Sequence, residues 1–278
     1  MPDVDEGIFR AAVRRVFDDR IMFPEMITKA EIVSLIREYA RIFQEGINDT
    51  IRDGEIPEEM RRALDEDVFV FSGFRTYHAL KEVATLLRDK EGQLRGFNEF
   101  YNDIASIRED YNKNWLHAEY IFATQSAGMA AKWQEIEEDG DDYDLQYRTA
   151  GDDRVRADHQ AMDRITLPPS DPFWTNYFPP NGWRCRCTAV QVRQGKYERT
   201  DSRIAIEAGE RATTEINGKG QNRAEMFRFN PGKEKVVFPP HHPYFYKSCA
   251  DCRRRGTPPA GWKARELCRM CQGLKDVE

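Results

Sequence analysis

Two stretches of the sequence decide the fold: YRTAGDDRVRADHQAMD at residues 147–163, and PPNGWRCRC at residues 179–187. The first begins with the alternation of a strand, turns at Ala-Gly-Asp-Asp, and continues into a short helix at residues 158–163. The second is a loop of proline and glycine that leads into a predicted strand at residues 185–192. Together they predict a compact α+β core over residues 113–198.

The same stretches carry a histidine and two cysteines that have more than one interpretation. His159 and Asp163 are four residues apart, on one face of the short helix. Cys185 and Cys187 alternate along the predicted strand, so both point to the same face. In the structural interpretation, His159 bonds a backbone carbonyl and both cysteines pack in the core.

Two chemical interpretations stand beside the structural one. An imidazole can lower the pKa of a thiol, which would make His159 and a cysteine a nucleophilic couple. Alternatively, His159, Asp163, Cys185 and Cys187 form a partial metal site. No orienting third group or oxyanion-hole motif accompanies the histidine, so the structural interpretation is favoured and no catalytic residue is assigned.

The N-terminal region, residues 1–112, is predicted to be helical. Apolar residues recur at helical spacing on one face of residues 32–43. A glycine and a proline interrupt this pattern before a second helix that begins near Glu58. The sequence VFVF at residues 68–71 is either a short strand or the apolar entry to a further helix.

The longest predicted helix covers residues 115–138 and carries a face of small residues, which is typical of close helix packing. Seven acids follow within residues 135–144, and because they lack the spacing of an EF-hand loop they predict a solvated loop. Residues 199–240 are predicted to be a polar connector. In it, the Asn-Pro-Gly sequence that begins at Asn230 predicts a turn between two short strands.

Four cysteines near the C-terminus form the strongest metal signal, a C-x2-C-x15-C-x2-C array of Cys249, Cys252, Cys268 and Cys271. Four thiolates fill the tetrahedron of a zinc ion, and each C-x-x-C pair can supply two corners from one tight knuckle. The sequence predicts a structural Zn²⁺ ion in a small C-terminal zinc-knuckle or ribbon module, residues 241–278. Two disulfides are the alternative.

Composition and the N-terminus favour the metal over the disulfides. The first residues, MPDVDE, are acidic and lack the apolar segment of a secretory signal, which predicts residence in a reducing cytoplasm. No apolar run approaches the roughly 20 residues that span a bilayer, so no membrane association is expected. A formal net charge of -6 argues against coating nucleic acid with the whole surface.

The charge of the C-terminal module is positive, in contrast to the rest of the chain. Residues 247–278 contain eight Lys or Arg and four acids, with three consecutive arginines at residues 253–255. A zinc ion held by four thiolates carries about two negative charges, which nearby cations would offset. Contact with DNA phosphates is the alternative interpretation, and the sequence favours neither.

The stretch from Tyr147 to Cys187 resembles the core of the bacteriophage Mu F-like family, the minor head or head-morphogenesis proteins of tailed phages and prophages. The resemblance rests on the DDRVRADH turn, the DPFW sequence at residues 171–174 and the PPNGWRCRC close, and it extends over about residues 115–194. It implies a protein of the virion or of the host cytoplasm during assembly, near the portal, with portal or capsid proteins as partners and DNA as a further one.

The chain departs from those relatives at the positions of their candidate metal ligands, and also in the long helix, where Ala123-Thr124-Gln125 replaces an Arg-Thr-Glu-like element. Many relatives carry a C-x-x-C pair after the first turn and a histidine before C-R-C, which together look like a metal site. Here Arg156 and His159 stand at the position of the pair, and Asn181-Gly182-Trp183 precedes Cys185. A complete metal site in the core is therefore not expected.

Three functions are compatible with the sequence. The favoured one is a non-enzymatic minor head protein. The second is an effector such as a nuclease or transferase, because Mu F-like domains also occur fused to toxin domains, but residues after Arg199 show no catalytic constellation. The third is a zinc-dependent nucleic-acid adaptor that is independent of any virion.

Overall fold

The computed structural model describes residues 3–245 and 264–277 of the chain. They divide into two units, a first of Met1–Glu45, Asp65–Tyr120 and His241–Glu278, and a second of Gly46–Leu64 and Ile121–Pro240. Helices predominate and one small sheet lies in the second unit, which confirms the α+β class. The domain boundaries predicted after residues 112, 198 and 240 stay predictions.

The chain before residue 140 is helical, as its apolar periodicity predicted. The VFVF sequence lies within a long helix, because Val68 and Phe71 both belong to its buried face. A π-helical turn at Asp110–Trp115 leads into the longest predicted helix. The helices are α1 (Glu6–Asp19), α2 (Ala30–Thr50), α3 (Glu58–Ala84), α4 (Phe97–Asp103), α5 (Ala105–Glu109) and α6 (Leu116–Asp139).

After residue 140 short helices alternate with three strands. The strands form an antiparallel sheet in the order β2-β1-β3, and Arg148 at the end of β1 pairs with Thr188 at the start of β3. The two strands predicted in the core, one before the Asp-rich turn and one after the PPNGWRCRC stretch, are both present, as is the short helix predicted between them. The elements are β1 (Tyr143–Arg148), α7 (Ala157–Gln160), β2 (Thr166–Leu167), α8 (Phe173–Tyr177), β3 (Thr188–Arg193), α9 (Ser202–Ala212), α10 (Pro231–Glu234) and α11 (Ala264–Val277).

The prediction of two strands around Asn230-Pro231-Gly232 is wrong. Asn230 instead caps α10, its side-chain oxygen accepting from the backbone nitrogens of Gly232 and Lys233. Proline fits the first helical position because it lacks the N–H that would remain unpaired there. Glycine is required next, since a Cβ on Gly232 would lie 2.2 Å from the Cβ of Trp133.

The first unit buries an ion pair in its apolar core. Arg75 on α3 is fully buried, and its Nε donates to the Glu119 carboxylate at 2.6 Å. Its guanidinium also donates to the Tyr111 carbonyl and lies over the Tyr39 ring, 4.1 Å from the ring centroid. Burial opposes the charged guanidinium, but Glu119, with further contributions from Tyr39 and Tyr244, more than offsets that, so the pKa of Arg75 is raised.

Helix α11 packs within the first unit by an apolar face. Met270 and Leu274 are buried, and a Cβ on Gly73 of α3 would meet the Leu274 side chain at 2.3 Å. The guanidinium of Arg37 on α2 donates to the Val277 carbonyl. The last part of the chain therefore has hydrophobic packing of its own, in addition to any contribution from a metal.

The core of the second unit is aromatic and lies beneath the sheet. Trp174, in the DPFW sequence, is fully buried, and its ring contacts those of Phe173 and Phe178 edge to face. Other buried members come from α6, the strands, α8, α9 and the turn after α7: Met129, Trp133, Ile136, Leu145, Tyr147, Met162, Leu167, Tyr177, Ala189 and Ala205. The two sequence stretches that decide the fold thus meet in one core.

Candidate metal centre

The sheet brings the two halves of the motif together. β1 ends at Arg148, and the Asp-rich turn then leads into α7, which carries His159. The other half approaches through the loop after Pro180 and enters β3 at Thr188, the residue paired with Arg148. Because this register fixes the end of one strand against the start of the other, Cys187 lies next to the turn that follows β1.

His159, Cys185 and Cys187 form one cluster. The Nδ1 atom of His159 lies 3.7 Å from the Cys185 sulfur and 3.6 Å from the Cys187 sulfur. The three potential ligand atoms are all within 4.8 Å of one another. His159 and Cys185 are buried, while Cys187 remains partly exposed.

The two thiols differ in how easily they ionise. The interaction with the neighbouring Cys187 thiol, with a further contribution from His159, lowers the pKa of Cys185 well below its usual value. The same interaction, together with burial, raises the pKa of Cys187. The cluster therefore favours a first thiolate at Cys185, as a metal ligand requires.

Polar contacts hold the loops around the cluster. The hydroxyl of Tyr147 donates to the side-chain oxygen of Asn181 at 2.9 Å, and burial raises the pKa of this tyrosine. The guanidinium of Arg156 donates to the Trp183 carbonyl at 2.6 Å. Each bond joins one half of the motif to the other, so the spacing of the cluster is fixed from both sides.

Two details of the predicted site are wrong. Asp163 does not join the cluster, because its carboxylate accepts from the backbone nitrogen and the hydroxyl of Thr149, at 2.9 and 3.1 Å. The cysteines precede the strand instead of alternating along it, since β3 begins only at Thr188. The histidine ring meets the two thiols, whereas the structural interpretation expected a backbone carbonyl.

The four cysteines of the C-terminal array fall partly outside the structure. Cys249 and Cys252 lie outside the described residues. Cys268 and Cys271 belong to α11, three residues apart along the helix, and the Cys271 side chain is partly exposed. Zinc binding by these four residues stays a prediction.

The carboxylate of Asp152 clamps the turn to the cysteine loop. It accepts from both terminal nitrogens of Arg186, at 2.7 and 2.6 Å, and from Arg154 at 3.1 Å. These bonds hold the pKa of Asp152 well below its usual value, and the bond with Arg186 makes the largest contribution. An acid with a lowered pKa in the folded state stabilises the fold above the pKa of the unfolded chain, and loses that effect as the pH falls.

We therefore expect Asp152→Asn to lower the melting temperature at pH 7 and to lower it less near pH 3, where part of the stabilisation by the carboxylate is already lost, measured by thermal unfolding at both pH values. The change at pH 7 should be modest because the pair is exposed to solvent. Asp153→Asn, with the same charge change at the neighbouring residue, is the control. Equal losses for Asp152→Asn at both pH values would contradict the prediction.

The helices in the described ranges lack the combination of length and apolar character that a membrane span requires.

Comparison with known proteins gives one family and two curated relatives. The model of the family described as Phage Mu protein F like protein matches residues 42–190, more than half of the chain. The match begins in α2, well before the region that carried the resemblance. No solved structure matches the chain significantly.

Both relatives are F proteins of Mu-like phages. "Putative capsid assembly protein F" of Escherichia phage Mu is 27% identical over 125 residues, 42% of this chain and 28% of the relative. The Mu-like prophage FluMu F protein of Haemophilus influenzae is 26% identical over 160 residues, 55% of this chain and 37% of the relative. The chain thus spans less than two fifths of the length of either relative.

Proposed function

Since this chain belongs to the family of phage Mu protein F like proteins, we propose that it is a minor head protein that acts in capsid assembly, or head morphogenesis, of a tailed phage or prophage. The family match over more than half of the chain is the observation that carries this proposal. The relative from phage Mu is named for capsid assembly, which supports the same role here.

The proposal extends to partners and location. A minor head protein assembles with portal or capsid proteins, so we place the chain in the head near the portal, and in the host cytoplasm during assembly. Contact with packaged DNA is the further part of the proposal. It is supported by the excess of cations in residues 247–278, where phosphates would find clustered arginines.

Purified particles test the role in the head. We expect mass spectrometry of particles from the induced phage to detect the chain. Deletion of its gene should leave a lysate without DNA-filled heads, and a copy of the gene in trans should restore them. Absence of the chain from particles, with normal heads after deletion, would refute the proposal and favour an adaptor that acts outside the virion.

The C-terminal array is proposed to hold a structural zinc ion. A module of about 40 residues has too small a core for independent stability, and a metal supplies the missing free energy. Helix α11 buries Met270 and Leu274, but the array begins before it, at Cys249. The metal would thus fasten the preceding segment to a helix that already packs in the first unit.

We expect Cys249→Ser or Cys271→Ser to remove one zinc ion per chain and to make trypsin cleave faster at residues 253–255, because the segment then loses its fastening. Metal analysis and timed proteolysis measure both effects. Ser248→Ala, which leaves the four thiols intact, is the control. Unchanged resistance to trypsin after chelation would contradict the structural role of the metal.

A further inference from the structure

We infer that His159, Cys185 and Cys187 bind a second zinc ion, in a site whose fourth coordination position is open to an exchangeable ligand from solution. The inference goes beyond the role in the head and is independent of the C-terminal array. It depends on three observations: the spacing of the ligand atoms, the hydrogen bonds that hold the nearest carboxylates away from the cluster, and the cleft that borders Cys187.

The spacing of the ligand atoms fits a tetrahedral ion. Zinc–sulfur bonds of about 2.3 Å and zinc–nitrogen bonds of about 2.0–2.1 Å place a sulfur and a nitrogen on one tetrahedron about 3.6 Å apart. The Nδ1 atom of His159 lies 3.7 and 3.6 Å from the two sulfurs. Both nitrogen–sulfur distances therefore match a tetrahedral zinc site, and the two sulfurs lie within 4.8 Å of each other.

Two thiolates and one imidazole also select the metal. Soft sulfur ligands with a nitrogen in tetrahedral arrangement are typical of Zn²⁺, whereas Mg²⁺ and Ca²⁺ require oxygen. On binding, the two thiol protons pass to solvent, and neutral His159 offers the lone pair of Nδ1. The charges of the ion and the two thiolates then cancel, so burial of the occupied site does not bury a net charge.

The nearest carboxylates do not complete the tetrahedron. Asp163 is bonded to Thr149, and Asp152 is bonded to Arg186 and Arg154. Among the residues that the structure describes, the cluster contains three ligand residues and no fourth His, Cys, Asp or Glu. The fourth ligand must therefore come from outside the described chain, and water or a small anion is the simplest source.

A cleft supplies the access that an exchangeable ligand needs. A cavity of about 400 Å³ is lined by Cys187 together with Thr50, Gln125, Lys132 and Arg186. The opening lies on the Cys187 side, because His159 and Cys185 are buried. Its charged lining residues are both cations: Lys132, whose ammonium also donates to Thr188, and Arg186, which is already paired with Asp152. The open position is therefore suited to an anionic ligand.

Metal content tests the site in the intact chain and in a variant with Cys249, Cys252, Cys268 and Cys271 all changed to Ser. We expect about two zinc ions per chain in the first and about one in the second. His159→Ala or Cys185→Ser should remove one ion in both backgrounds. Asp163→Asn, which alters the acid outside the cluster, should remove none. If His159→Ala and Cys185→Ser retain the full content in both backgrounds, the site is refuted.

Cobalt reports on the open position. Co²⁺ bound to the four-serine variant should show absorption from two thiolate ligands, and Cys185→Ser should remove part of it. Addition of azide, a small anion, should shift the visible bands as it takes the fourth position. The same titration can be made with the intact chain, in which the C-terminal cysteines also bind Co²⁺. There, azide should shift the visible bands, and His159→Ala in the intact chain should abolish that shift. A cobalt spectrum that azide leaves unchanged would show a closed site and overturn the open position.

Discussion

We expect Glu119→Gln to lower the free energy of unfolding of the first unit by about 3–5 kcal/mol, the largest effect of any single substitution considered. The substitution leaves the Arg75 guanidinium charged, buried and without its counter-charge. A buried lysine could lose its proton, but an arginine stays protonated in proteins, because the pKa of a guanidinium is far above that of an ammonium group. Chemical denaturation of the purified chain measures the loss.

The contacts of the pair explain why the loss cannot be repaired locally. Arg75 is fully buried and Glu119 is 4% exposed, so water cannot solvate the remaining charge. The Tyr111 carbonyl and the Tyr39 ring face the guanidinium, but neither carries a full negative charge. The Tyr244 hydroxyl, which donates to Glu119 at 3.1 Å, also loses its charged acceptor.

Two controls separate charge from packing. The double substitution Arg75→Met with Glu119→Leu removes both charges and keeps an apolar core, so it should recover most of the stability. Glu31→Gln breaks an ion pair with Arg15 in which both side chains are about one-third exposed, and it should change stability far less. If Glu119→Gln were no more costly than Glu31→Gln, the buried Arg75 charge would carry no large penalty and the prediction would be wrong.

The fold was predictable where one local signal dominates. Apolar periodicity located the helices before residue 140, and turn residues located β1, α7 and the approach to β3. The signal failed at Asn230-Pro231-Gly232, because the same three residues suit a turn and a helix N-terminus. Close packing of Gly232 against Trp133 favours the helix over the turn. Such a contact cannot be recognised from the residues next to Gly232 in the sequence, because Trp133 is distant along the chain.

The candidate metal centre was predictable in composition but not in geometry. His159, Cys185 and Cys187 were recognised as a group, yet Asp163 was added because it lies one helical turn from His159. α7 ends at Gln160, so Asp163 lies beyond the helix and bonds Thr149 instead. The pair of Arg75 and Glu119 was missed entirely, since charged residues 44 positions apart on helices normally face solvent.

The second large effect concerns Asn230. We expect Asn230→Ala to lower the free energy of unfolding of the second unit by about 2–4 kcal/mol, from a lost helix cap and a stranded buried carbonyl. The side-chain nitrogen donates to the Trp174 carbonyl at 2.9 Å, and the oxygen accepts from Gly232 and Lys233 at 3.0 and 3.1 Å. Asn230 is fully buried, so water cannot replace these bonds.

Asn222 offers a matched control in the same unit. It also donates one bond, to the Thr213 carbonyl at 2.9 Å, and accepts two, from Glu215 and Ala224 at 2.8 and 3.1 Å. It is only partly buried, so water can replace what Asn222→Ala removes. Denaturant unfolding of the two variants compares the loss of the same number of side-chain hydrogen bonds at a buried and at a partly exposed position. Equal losses would mean that burial of the Asn230 cap does not govern its contribution.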